Sequence, residues 1–297
     1  MFYLKYRPQQ IAEIDHAERR NLLESIFPGA KDIPHAFLLI GPKGTGKTST
    51  ARIIAKVLNC EENVFAGKSK TAEPCGKCDT CISIQNGSFL DLFELDGASN
   101  RGIDDVRALR EQVGYAPARG RYKVYIIDEV HMLTKEAFNA LLKTLEEPPE
   151  YVVFVLATTE REKLPETITS RCILINFNKA TVEELTASLN RVVKGEKLKI
   201  DPAVLTEVAT RANGSFRDAA KLLEMVTQST DLSLPAVSIA LKDNMDSKPV
   251  ELLSLLFKKE EDKAVNWLHE YAEKGGSAVW LSEELLSLLH DALLTQK

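Results

Sequence analysis

Residues 37–48 read Phe-Leu-Leu-Ile-Gly-Pro-Lys-Gly-Thr-Gly-Lys-Thr: four apolar residues, a glycine-rich turn, then a Lys-Thr pair. The segment Gly41-Pro42-Lys43-Gly44-Thr45-Gly46-Lys47-Thr48 fills every fixed position of a P-loop. It also has the required context, with the strand-length run Phe37–Ile40 before it and the helical pattern Lys47–Asn59 after it. Glycines at these positions let the backbone wrap closely enough for its N–H groups to cradle phosphate, and the helix adds its positive end. The nucleotide-holding set is therefore Gly41, Gly44, Thr45, Gly46, Lys47, Thr48 and Ser49. In this arrangement Lys47 reaches the β- and γ-phosphates and the Thr48 hydroxyl ligates Mg²⁺.

A second element follows downstream. Val124-Tyr125-Ile126-Ile127-Asp128-Glu129 is an apolar strand ending in two carboxylates, the Walker B pattern. Asp128 is expected to hold Mg²⁺ and Glu129 to polarise an attacking water. Alone the pair is weak evidence, because many strands end in acidic residues. Behind a full P-loop it points to ATP or GTP bound with Mg²⁺ and hydrolysed.

Further strand-length apolar runs occur at Leu90–Leu95, Val152–Leu156 and Ile173–Phe177, with helical patterns at Asp104–Gln112 and Lys135–Glu146. The second helical pattern stops before Pro148-Pro149. Continuous apolar strands alternating with helices imply an α/β domain, a mostly parallel sheet covered on both faces. After Asn178 the strand signal ends. Thr181 and Glu184 form a capping box, and Asp201-Pro202 starts another helix. Helical patterns follow at Phe216–Gln228, Val250–Phe257, Ala264–Ala272 and Val279–Leu294. The last carries Leu281, Leu285, Leu288, Leu289 and Leu293 as a packing face that runs close to residue 297 with no evident partner. The expected domains are 1–178, 179–243 and 244–297.

The chain has 297 residues, a size for roughly two or three domains. Its 44% hydrophobic and 27% charged residues exclude a disordered chain. The longest apolar run, Val152–Ala157, is far short of a membrane span, and residues 1–8 lack a signal-peptide core, so a cytoplasmic protein without membrane contact is expected. Residues 1–180 carry 24 basic and 24 acidic residues, and residues 181–297 carry 14 and 19. Bulk charge thus excludes non-specific grip on nucleic acid, leaving local patches such as Arg101, Arg107, Arg110, Arg119, Arg121 and Lys123.

Four of the five cysteines, Cys60, Cys75, Cys78 and Cys81, are spaced for tetrahedral thiolate coordination in a glycine-bearing polar stretch without its own core. A closed structural Zn²⁺ site is expected; an iron–sulfur cluster or free thiols are the alternatives. Cys172 reads as a small buried hydrophobe.

The segments Arg7-Pro8-Gln9, the P-loop, the four-cysteine insertion, Ala98–Asp104, Tyr115–Gly120, Asp128-Glu129-Val130-His131, Leu141–Pro149, Leu156–Thr159 and Ser170-Arg171-Cys172 together resemble the bacterial DNA polymerase III gamma/tau family, the AAA+ ATPases of the sliding-clamp loader. The resemblance implies an AAA+ domain with five parallel strands and a zinc insertion, a small helical lid, and an incomplete helical collar for oligomerisation. It implies that Arg171 is an arginine finger serving the ATP of the next subunit. It also implies that Thr159, with Thr158 beside it, is the sensor 1 position, that Arg217 in the lid is sensor 2, and that Arg7 joins the nucleotide site. ATP, Mg²⁺ and Zn²⁺ are the implied cofactors. The implied partners are delta and delta-prime type subunits, further copies of the chain in a ring, the sliding clamp and primed DNA. Polymerase activity belongs to the complex rather than to this chain. In one place the sequence departs from the family, with Asp15-His16-Ala17 where Val-Gly-Gln is usual, in the stretch bordering the adenine. Two other readings differ in what they require. A helicase, prompted by Asp-Glu-Val-His, requires a second strand-rich domain. A non-hydrolysing scaffold subunit would not need Lys47, Thr48, Asp128 and Glu129 together.

Overall fold

The computed structural model describes residues 1–27, 33–99, 102, 109, 111–229, 232–237, 249–273 and, near the end, 278, 281, 282, 285, 286, 288, 289 and 292. Five strands, β1 (Ala36–Ile40), β2 (Leu92–Asp96), β3 (Lys123–Asp128), β4 (Val152–Thr158) and β5 (Ile173–Asn176), form one sheet in the order β2-β3-β4-β1-β5. Every pair is parallel. Alternation of side chains across the pleat gives the sheet two buried faces. Phe37, Leu39, Val124, Ile126, Val153 and Val155 enter one core with Ile53, Ile54 and Leu58. Leu38, Tyr125, Ile127, Phe154 and Leu156 enter the other with Phe138, Leu141 and Leu145. This explains why the strands read as unbroken apolar runs.

The helices are α1 (Phe2–Lys5), α2 (Ala17–Ile26), α3 (Lys47–Asn59), α4 (Asp79–Asn86), α5 (Lys135–Glu146), α6 (Glu166–Thr169), α7 (Val182–Glu196), α8 (Pro202–Arg211), α9 (Phe216–Val226), α10 (Pro249–Phe257) and α11 (Glu261–Glu273). Their ends follow local chemistry. Thr134 accepts from the Ala137 N–H at the start of α5, Thr181 and Glu184 complete a capping box on α7, and Asp201 accepts from Ala203 N–H ahead of Pro202.

The sheet differs from the sequence reading at β2, which starts at Leu92 rather than Leu90. Asp91, almost fully buried, turns its carboxylate to accept the N–H groups of Ala118, Arg119 and Gly120 at 2.7, 2.7 and 2.6 Å, and Leu90 is left exposed. Helices α1, α2 and α4 were not apparent from periodicity. Of the pattern Asp104–Gln112, all but 109, 111 and 112 lies outside the described residues, as do Arg101, Arg107 and Arg110 of the basic stretch.

The chain divides into two compact units, Met1–Leu232 and Ser233–Lys297. Residues 179–229 are drawn into the first unit by contacts with residues 1–178: Phe216 N–H to Gly44 O, Lys5 to Glu196, and Arg191 to Asp15. The 243/244 boundary falls outside the described residues. In the second unit Leu281 packs with Leu252 and Ala264, flanked by Leu255, Trp267 and Leu285, so the first two leucines of that face meet α10 and α11, while Leu289 is exposed. Leu293 lies outside the described residues.

Candidate nucleotide site and metal centre

β1, β3 and β4 end together. Ile40 stands in register with Thr158, and Ile127 with Leu156, so the P-loop, Asp128-Glu129 and Thr158-Thr159 leave the sheet side by side at its carboxyl edge. Open α/β sheets bind ligands at this edge. Gly44 adopts φ +79°, and a Cβ there would lie 2.1 Å from Ser215 Oγ, so only glycine lets the loop and the lid approach this closely. Gly46, at φ +102°, turns the chain into α3.

Lys47 is nearly buried and curls back over its own loop, its Nζ donating to Gly41 O at 2.7 Å and Pro42 O at 2.9 Å. Burial pushes its pKa below the usual lysine value, while Glu129 and Asp128 act in the opposite sense. Thr48 Oγ1 donates to Asp128 Oδ2 at 2.7 Å, and Glu129 N–H donates to Asp128 Oδ1 at 2.9 Å. Glu129 has left-handed backbone angles, φ 45° and ψ 46°, uncommon for a residue with a side chain. Thr159 Oγ1 donates to its Oε2 at 3.1 Å.

Lys47, Thr48, Asp128 and Glu129 face a cavity of 550 Å³, a typical ligand-pocket size, whose wall also includes Arg7, Lys43, Gly44, Thr45, Gly46, Ser49 and Arg217. Arg52 is held by both oxygens of Glu94. Arg7 makes no ion pair among the described residues, and burial, then the nearby Arg52, depress its pKa. Arg217 stacks over the Tyr3 ring at 5.2 Å. Enclosed cations without carboxylate partners favour a polyanion.

The cavity wall also has apolar side chains, Ile14, Ile53, Phe177, Val192, Phe216 and Ala220. The unusual Asp15-His16 pair lies in this wall. Asp15 accepts both Arg191 guanidinium nitrogens at 2.5 and 2.7 Å. His16 Nδ1 lies 3.2 Å from Glu184 Oε1, and its ring meets Phe216 edge-on at 5.2 Å. Asp15 and His16 therefore tie this part of the cavity wall to α7.

Four expected nucleotide-site residues, Gly41, Thr158, Thr159 and Arg171, are not part of the cavity wall. Thr158 is fully buried, its hydroxyl accepting from the Glu160 N–H and bonded to His131; it is not at the cavity wall. Arg171 is also absent from the wall, donating to Thr167 O at 2.6 Å and Glu146 Oε1 at 2.9 Å on the surface. Neighbouring Cys172 is pushed up to about 12 by burial, which leaves it inert. Tyr3 and Phe216 at the cavity, Ser215 against Gly44, and His131 behind the site were not assigned from sequence. His131 stood close behind a Walker B pair, and His16 was marked only as part of the segment that departs from the family.

The four expected metal ligands do converge: the Sγ atoms of Cys60, Cys75, Cys78 and Cys81 all lie within 4.8 Å of one another. Backbone N–H groups point at them, from Cys75 to Cys60 Sγ at 3.3 Å, Cys78 to Cys75 Sγ at 3.2 Å and Cys81 to Cys78 Sγ at 3.4 Å. Cys60, accepting from the Cys81 thiol and from backbone N–H groups, is drawn down to about 5, and Cys81 is pushed up. Four thiols clustered around N–H donors that stabilise thiolate suit a closed tetrahedral zinc site. Cys60 is also the C-cap of α3, whose first residue is Lys47, so one helix joins phosphate loop and metal cluster.

A parallel β2-β3-β4-β1-β5 sheet, a P-loop after β1, a Walker B strand and a small helical unit over the loop define an AAA+ P-loop fold. Thermotoga maritima RuvB, a Holliday junction branch migration motor, shares it: the structures align with a TM-score of 0.63 at 21% identity, over 94% of this chain and 88% of RuvB. Sequence narrows the class. Residues 17–181 match the family described as DNA polymerase III, delta subunit. The DNA polymerase III subunit tau of Escherichia coli K12 is 42% identical over 98% of this chain and 45% of its own length, and that of Bacillus subtilis 168 is 39% identical over 98% and 51%. The chain belongs to the DNA polymerase III gamma/tau subunit family, and it spans about half the length of these curated relatives. No helix among the described residues is long and apolar enough to cross a membrane.

Proposed function

We propose that the chain is the ATP-hydrolysing motor of a bacterial sliding-clamp loader, working in the cytoplasm to place the replicative clamp on primed DNA. The observation that carries this reading is the meeting of Lys47, Thr48, Asp128 and Glu129 at one cavity, with Thr48 and Asp128 already 2.7 Å apart. A scaffold subunit does not require that set.

The triphosphate is taken up by the P-loop N–H groups of residues 44–48 and by Lys47, which exchanges the carbonyls of Gly41 and Pro42 for phosphate oxygens. Thr48 and Asp128 are the groups that would hold Mg²⁺, which when bound neutralises charge on the phosphates. Glu129 orients the attacking water and accepts its proton. Thr159, hydrogen-bonded to Glu129, is the sensor that reports the γ-phosphate. Arg217 and Arg7 add cationic contacts from the lid and the N-terminal segment, and the apolar wall residues beside His16 receive the adenine. Cys60, Cys75, Cys78 and Cys81 hold a structural zinc.

Arg171, on the surface and outside its own cavity, serves the nucleotide of a neighbouring copy in a ring that also contains delta and delta-prime type subunits. A guanidinium finger contributes about 10³–10⁵ in rate where such fingers have been measured. The test is ATP turnover by the complex assembled with clamp and primed DNA. Arg171→Ala is expected to bind ATP normally and lose turnover; wild-type turnover by the assembled variant refutes the finger.

A further inference from the structure

His131 belongs to the 3-10 turn Val130–Met132, directly after the left-handed Glu129. Its side chain is 4% exposed, and both ring nitrogens are engaged. Nδ1 lies 2.9 Å from Thr158 Oγ1, and Nε2 lies 3.0 Å from Glu160 Oε1. A third group is near: Glu129 Oε2, at 3.5 Å from Nδ1. Glu160 Oε1 can only accept, so in the neutral ring Nε2 carries the hydrogen and Nδ1 accepts from Thr158 Oγ1, which itself accepts from the Glu160 N–H at 3.0 Å.

Two consequences follow for the carboxylate beside it. With Nδ1 accepting from Thr158, the ring has no hydrogen to offer Glu129, whose Oε2 takes its hydrogen bond from Thr159 Oγ1 instead. Thr159 in turn is placed by the residues on either side of it, Thr158 and Glu160, and both are bonded to His131. The imidazole thus fixes the turn after β4 from both flanks of the residue that holds Glu129.

We infer that His131 is a positioning residue for hydrolysis: through Thr158 and Glu160 it sets the end of β4 so that Thr159 holds the Glu129 carboxylate without neutralising it. The inference rests on Glu129 being the group that activates water. It assigns a function to a histidine that touches neither nucleotide nor metal ligand. A histidine serving only as core filling would act through stability alone.

Side-chain isosteres separate the two roles. The Asn amide occupies the Nδ1 position and can still accept from Thr158, the Gln amide occupies the Nε2 position and reaches only Glu160, and Leu keeps volume but neither bond. Each variant is measured in the full chain assembled with its loader partners, by single-turnover ATP hydrolysis, ATP affinity and melting temperature, with Glu129→Gln in parallel. His131→Leu is expected to lower the hydrolysis rate by roughly 10–100-fold, as misplacing a reacting group by about an ångström does, with ATP affinity within about twofold of wild type. His131→Asn and His131→Gln, each keeping one of the two bonds, are expected to fall between His131→Leu and wild type. A Leu variant at the wild-type rate, an Asn variant as slow as Leu, or losses that only track melting temperature overturn the inference. If Glu129→Gln itself hydrolyses ATP normally, the water-activating role of Glu129 is wrong; if Glu129→Gln is inactive and His131→Leu is not, only the positioning role fails.

Discussion

Replacing Lys47 by Met separates binding from folding at the phosphate loop. The substitution keeps an unbranched side chain of similar length on α3 and removes the ammonium. In the structure that ammonium makes two hydrogen bonds to its own loop, to Gly41 O and Pro42 O, each worth roughly 1.5–3 kcal/mol when the donor is charged. Against them stands the cost of enclosing the charge, visible as a pKa below the usual lysine value despite Asp128 and Glu129 nearby. The terms oppose each other, so stability without nucleotide should change by no more than about 1 kcal/mol. With nucleotide there is no such offset. Losing contacts to two phosphate groups costs about 3 kcal/mol or more, which is at least about 100-fold in affinity. The assay is urea denaturation of both proteins without nucleotide, paired with competition binding against a fluorescent ATP analogue. A Lys47→Met protein destabilised by more than about 3 kcal/mol would show that the lysine serves the fold. One binding ATP within about threefold of wild type would show that it does not hold phosphate.

Other expected outcomes concern the scaffold. Tyr125 is stacked between Phe93 and Phe154 with its hydroxyl buried and without a hydrogen-bond partner among the described residues, so Tyr125→Phe should be neutral or stabilising by about 1 kcal/mol in chemical denaturation. Asp91 holds three backbone N–H groups of the 118–120 turn, and Asp91→Ala should cost about 2–4 kcal/mol; since the freed N–H groups lie in an exposed loop, water limits the loss. The wild-type chain should release one zinc on denaturation in the presence of a colorimetric chelator, while Cys78→Ser should hold none and melt lower, because residues 60–81 have little core of their own. Cys172, pushed up to about 12, should resist alkylation at pH 8 until the protein unfolds. Its thiol is favoured in the native state, so its contribution to stability is whole below about pH 9 and declines as pH rises from there toward 12.

Much of this site is legible in the chain because it is built from local motifs. The P-loop, the Asp-Glu strand end and the cysteine spacing each declare their chemistry within a few residues, and α3 and α5 run over the ranges their periodicity indicates. What was not legible depends on partners distant in sequence. Asp91 delays the start of β2 because its acceptors are satisfied by a loop 27 to 29 residues away. Four-residue α1 has no periodicity to read, and it is held by Glu196 and Glu224 of the lid. His131 was visible only as part of a motif; its contacts with Thr158 and Glu160 exist because β3 and β4 are adjacent. Tyr3 under Arg217 gave no sign at all, since an aromatic near a terminus has no marker of what it stacks upon.

The most direct measurement is calorimetric titration of ATP, with magnesium, into the full chain. A nucleotide held in the cavity that Lys47, Phe177 and Phe216 line should give a saturable heat at one ATP per chain, in the micromolar to millimolar range where nucleotidases usually work. A flat trace up to about a millimolar, from protein that is folded and carries its zinc, would contradict the account at its root.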